Sequence, residues 1–253
     1  MRRDRWGQER SPGRRATGRR PPTGGYHAPR RRCEVDEQRA LPEAGRGDDS
    51  MQVEARTILW ISWARIAVQH EAMARAVAQA IQRPGADQSH LLEQEAEAGM
   101  ISVCGAAFAL EALSRELSEL GAIPQATLDR WREKRKKGEG PAAENVTCEV
   151  LAQTIDARGL VTTWRGELGW LFDLRDSSVH YEGALAPLES HPLGVNVAPS
   201  QVAYSAENAT RAVDLLLKIL ERCRDKPKPP ARDWSYGMHG AVDELADRRR
   251  RAA

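Results

Sequence analysis

An all-α fold is predicted by three features of the chain. Apolar residues recur at three- and four-residue spacing over several long stretches. Gly and Pro punctuate the gaps between those stretches. The apolar complement is 41% of 253 residues but only 5% aromatic, so the core must be built mainly from Ala, Leu, Val and Ile, a mix that suits helices better than sheets.

The periodic pattern begins at about residue 52. Ile58, Ile61 and Val68 share one helical face, and Leu59, Trp63, Ile66 and Met73 extend a broad apolar surface. Pro84-Gly85 ends this helix, and Asp87 or Ser89 can cap the next. The second helix reads through Val103, Ala106, Ala107, Leu110, Leu113, Leu117 and Leu120, with Gly121 in the usual position just past a helix end. Its small-residue run from Cys104 to Ala109 lets a neighbouring helix approach closely. A short helix is predicted over 143–157 and a longer one from Val161 to Tyr181. Val161, Trp164, Leu168, Leu171, Phe172 and Val179 form the apolar face of the longer one. A Pro- and Gly-containing loop spans 182–203. Ser205 then caps a last strong helix to about Cys223, with Val213, Leu216, Leu217 and Leu220 inward. Lys226 to Pro230 reads as a stiff linker, and the end, through Arg251, as a short amphipathic helix or an unordered tail.

The domain plan is therefore an arm over 1–50, a helical domain over 51–225 and a linker and tail over 226–253. The arm lacks apolar periodicity and is expected to be disordered. Residues 1–32 hold eleven Arg against Asp4 and Glu9, a local charge of +9 in a chain whose total is +2. The body is thus mildly acidic. The arm reads either as a phosphate-binding element or as a solvated tail, including one created by a start codon assigned too early.

Cys33, Cys104, Cys148 and Cys223 show no paired or zinc-ligand spacing, and reduced thiols in a cytoplasmic protein are expected. No leader pattern and no membrane-length apolar run stands out, so no membrane partner is expected. The basic run Arg130 to Lys137 reads as a loop. It could grip phosphates through Arg132, Lys134 and Arg135 with Trp131 stacking on a base, or be a solvated helix end.

The segment with chemical potential is Leu174-Arg175-Asp176-Ser177-Ser178-Val179-His180-Tyr181. An Arg five residues before a His is weak as spacing alone. Arg65 and His70 repeat it, and Arg20 and His27, Arg83 and His90, and Arg232 and His239 come close to it. Arg175 to His180 differs in having Asp176 directly after the Arg, in closing a strongly apolar helix and in preceding a long loop. His can act as acid or base near neutral pH, and Arg grips phosphate oxygens as a permanently charged fork. The helical period places Arg175 and His180 roughly 140° apart, and Asp176 and His180 on one face.

These residues, with the late stretch Tyr204 to Ala212, resemble the HEPN domain family over roughly residues 55–222. The resemblance implies a four- or five-helix bundle, a homodimer with facing motifs, and metal-independent cleavage of RNA through 2′-OH attack, often in toxin–antitoxin or defence systems. On that basis Arg175, Asp176 and His180 are the expected catalytic set. Arg132, Lys134, Arg135, Tyr181 and His191 are expected RNA contacts, with no metal or cofactor. A nucleotidyltransferase-type antitoxin is the partner the resemblance implies. Two other readings fit the same residues: a module that binds nucleotide or RNA without cutting it, and a structural dimerisation bundle in which the cluster caps a helix.

Overall fold

The computed structural model describes residues 58–85, 87–157, 159–179 and 187–252. The arm expected over 1–50 lies outside them. The described chain is an all-α bundle in the order α1 (Leu59–Ile81), α2 (Gln88–Leu117), α3 (Gln125–Lys136), α4 (Ala143–Thr154), α5 (Val161–Val179), a two-stranded hairpin, α6 (Pro199–Ala203), α7 (Ala206–Asp225) and α8 (Arg232–Arg251).

The long helices begin and end where the side chains dictate. Asp87 caps α2 by accepting the His90 N–H at 3.3 Å, which satisfies one of the donors a helix start leaves free. The helix closes through a π turn over Ser118–Ala122, in which Gly121 takes a left-handed φ of 77° that costs glycine little. Ser205 caps α7 through the Asn208 N–H.

α2 is the central helix and packs against α1, α4, α5, α6 and α7. Its approach to α1 is a backbone approach. A Cβ on Gly105 would lie 3.1 Å from the Ala67 nitrogen, and the buried Ser102 hydroxyl donates to the Ala67 carbonyl at 2.9 Å. Leu110, Leu113, Leu117, Leu151, Leu168, Leu171, Leu216 and Leu220 fill the core around it. The stretch Gln88–Gly121 is apolar and long enough to pass a composition test for a membrane span, contrary to the sequence expectation. Small residues raise its hydropathy, and 56% of that window is buried within the bundle.

Three sequence expectations are corrected. The basic run placed in a loop belongs to α3, which is anchored on the core through Leu128 and Trp131. The loop expected over 182–203 contains the antiparallel hairpin β1 (Glu189–Ser190) with β2 (Asn196–Val197), turned by Gly194, and then α6. The chain after 226 is not a linker and tail. Pro227 bridges to Ile155, and α8 docks on the bundle through buried Met238, Val242 and Leu245.

A buried carboxylate holds α8 in place. Glu71 of α1 is fully buried and takes an ion pair from Arg75 at 2.9 Å, a hydrogen bond from the Thr210 hydroxyl of α7 at 3.2 Å and a longer ion pair from Arg249 of α8 at 3.5 Å. Arg249 also binds Asp214 of α7 at 2.5 Å. A buried charge is tolerated only while its partners remain. Arg75→Ala is therefore expected to destabilise the protein by about 3 kcal/mol in urea unfolding. Glu71→Leu, which removes the charge itself, should cost clearly less, and equal losses for the two variants would contradict the assignment.

Candidate functional site

α5 is regular as far as Val179 and carries Arg175 and Asp176 in its last turns. Its apolar face, with Trp164, Leu168, Leu171 and Phe172 buried, fixes the rotation of the helix. That rotation turns Arg175 toward α2. Arg175 donates from Nη1 to the Glu111 carboxylate at 2.9 Å and from Nε to Asp176 Oδ1 at 2.8 Å. Its guanidinium lies 4.9 Å from the Phe172 ring centre and 5.8 Å from that of Phe108, within cation–π range. Phe108 in turn packs on Trp63 of α1, with ring centres 4.9 Å apart.

The end of α5 is secured from two further sides. The Ser178 hydroxyl donates to the Arg175 carbonyl at 2.6 Å and lies 3.2 Å from Cys104 Sγ on α2. The Tyr204 hydroxyl donates to the Leu174 carbonyl at 2.8 Å. Burial pushes the Tyr204 phenol above its ordinary value, and neighbouring Cys104 adds to the effect, so the hydroxyl stays a donor.

The structure brings Arg175 and Asp176 together and adds Glu111, which the sequence reading missed. The expected His180 and Tyr181 lie outside the described residues, as does the side chain of Arg135. Arg132 and Lys134 are exposed on α3, and Arg132 pairs with Asp129 at 3.1 Å. The arginine side chain is 66% exposed, and a pair so open to solvent holds it only weakly. Among the described residues no three His, Cys, Asp or Glu side chains group as metal ligands would.

His191 is corrected. It was expected as an exposed RNA contact, yet it is buried under the hairpin. Its Nδ1 accepts the Leu193 N–H at 3.3 Å, which puts the proton of the neutral ring on Nε2, 3.5 Å from Glu95 Oε2. Glu95, also buried, accepts the Ala206 N–H at 2.8 Å at the start of α7, where the helix dipole favours an anion. The hairpin folds His191 inward to this carboxylate, away from solvent.

Gly99 completes that corner. A Cβ there would sit 1.9 Å from the Tyr204 carbonyl oxygen, so only glycine lets the turn before α7 lie on α2. Gly99→Ala is expected to cost about 1–3 kcal/mol through forced displacement, read as a fall in thermal midpoint. An unchanged midpoint would show that the turn moves freely.

The thiols give a second check. Burial raises the Cys223 thiol to about 12 and raises Cys148 as well, whereas Cys104 is half-buried. Only a thiolate reacts readily. Iodoacetamide at pH 8 should therefore label Cys104 well before Cys148 and Cys223 in the native protein, as mapped by peptide mass spectrometry. Denaturant should erase the difference.

No family model, no curated protein and no solved structure matches this chain.

Proposed function

We propose that the protein is a HEPN-like, metal-independent endoribonuclease, with Arg175 holding the scissile phosphate, His180 acting as acid or base, and Asp176 positioning them. The observation that supports this reading is the way Arg175 is held. Its planar head is braced by Phe172, Phe108 and Glu111 at an end of the bundle, and its other contact, Asp176, has a side chain 60% exposed. A phosphate can replace the solvent-facing Asp176 without disturbing the inner brace. Asp176 would then be free to orient an imidazole one helical turn on.

The same geometry sets a condition. Helix α5 is regular through Val179, and positions 175 and 180 on a continued helix diverge by roughly 140°. Cleavage therefore requires either that the chain leave the helix at His180 or that a second subunit supply the partner, as in a two-fold dimer. RNA is the substrate in this proposal, and a nucleotidyltransferase-type antitoxin is the partner that the family analogy offers.

A structural reading is favoured by one specific observation: Arg175 already has two carboxylate partners and its side chain is only 16% exposed. An arginine so engaged can simply tie α5 to α2. The two readings separate in one assay, incubation of the purified full chain with RNA in the presence of EDTA. His180→Ala is expected to lower cleavage about 10²–10⁴-fold with the thermal midpoint unchanged. No cleavage by the wild type, together with a lower midpoint for Arg175→Ala, would select the structural tie.

A further inference from the structure

A cavity of about 400 Å³ lies between the C-terminal end of α2, α3 and α4, within the size range of small-molecule sites. It shares Glu111 with the Arg175 cluster but does not include Arg175 itself. Its inner wall is apolar: Val150 is fully buried, and Val146, Leu128 and Trp131 pack partly against the core. α3 forms the outer wall and touches the rest of the bundle chiefly through Leu128 and Trp131.

The charges at this cavity decide what it can hold. Four charged side chains line it: Glu111, Arg115, Glu119 and Arg132. Two of them have a partner, Glu111 in Arg175 at 2.9 Å and, weakly and in solvent, Arg132 in Asp129 at 3.1 Å. Arg115 and Glu119, four positions apart, have no side-chain partner among the described residues and are not paired with each other. One free cation and one free anion, both solvent-exposed, thus stand beside an apolar wall. The buried Thr147 also lines the cavity.

A ligand complementary to this lining carries a carboxylate for Arg115, an ammonium for Glu119 and an apolar body for Trp131, Val146 and Val150. We infer that the cavity binds a small zwitterion with a hydrophobic side chain, in chemical class a free hydrophobic α-amino acid. A nucleotide fits less well. Its phosphate would find Arg115 and the weakly held Arg132, but Glu119 would repel it. A peptide interior has neither charge, and each chain terminus has only one.

The inference is independent of the ribonuclease reading, because none of Arg115, Glu119, Trp131 or Thr147 belongs to the Arg175 cluster. It is tested by calorimetric titration of the full chain with L-phenylalanine and L-leucine, beside N-acetyl-L-phenylalanine, which lacks the ammonium, and L-phenylalaninamide, which lacks the carboxylate. Saturable binding of at least one amino acid is expected, about five- to tenfold tighter than either single-charge analogue. Arg115→Met should abolish the preference for phenylalanine over its amide while leaving the melting curve and RNA cleavage unchanged. Val146→Trp, which fills the cavity, should remove binding. Absence of saturable binding by both amino acids, equal binding of the analogues, or tighter binding of adenosine monophosphate would each overturn the assignment.

Discussion

The bundle depends on how closely other backbones can approach α2. Two of its neighbours, the α1 backbone and the turn before α7, are admitted by small side chains at the point of contact. Gly105 and Ser102 admit the α1 backbone at Ala67, and Gly99 admits the turn at Tyr204. Close approach of this kind increases dispersion contact per residue. It also turns single-atom additions into backbone displacements, since interiors are packed almost without voids. The Leu-rich layer around α2 supplies most of the apolar burial, but the small residues fix which helices meet and at what height.

That height places the candidate site. Because α2 is central, its half-buried side at Glu111 and Phe108 meets the last turns of α5, and its N-terminal half at Glu95 meets the first turn of α7. Tyr204 joins the two regions: it lies over Gly99 and donates to the Leu174 carbonyl. The end of α5 is thus fixed by α2 and by the turn before α7 together. Rigid elements hold functional groups more accurately than loops do, and Arg175 is held in this manner.

The long helices were legible because their apolar residues repeat at three and four positions and their ends carry Asp87, Gly121 and Ser205. α3 was not, because its run of Arg and Lys hides a two-residue apolar anchor at Leu128 and Trp131. α8 was concealed by the Pro-rich stretch before it and the Arg run at its end, although Met238, Val242 and Leu245 stand at helical spacing. Of the site, Arg175 and Asp176 were readable, since adjacency in the chain put them together. Glu111 was not, because it comes from a residue 64 positions earlier and only the crossing of two helices supplies it. Two buried carboxylates did leave a trace. Glu71 and Glu95 each occupy an apolar register position of their helix, in line with Ala67 and Ala74 and with Leu92 and Ala98. A charge on a buried face predicts a partner, and here the partners are Arg75 with Arg249, and the start of α7 with His191.

The contrast between those carboxylates and the ones at Arg175 bears on what Arg175 can do. Glu71 and Glu95 are enclosed, so their partners are structural by necessity: exchanging them for a solvent-borne ligand would expose a buried charge. Asp176 is under no such constraint. Its side chain is 60% exposed, and loss of its contact with Arg175 would leave a carboxylate in water, where ion pairs are worth little. Glu111 is intermediate at 33%. Arg175 therefore has one firm partner and one weak one, and it retains N–H donors beyond those two, since a guanidinium carries five. The weak contact can be given up to solvent while Glu111, Phe108 and Phe172 continue to hold the plane of Arg175.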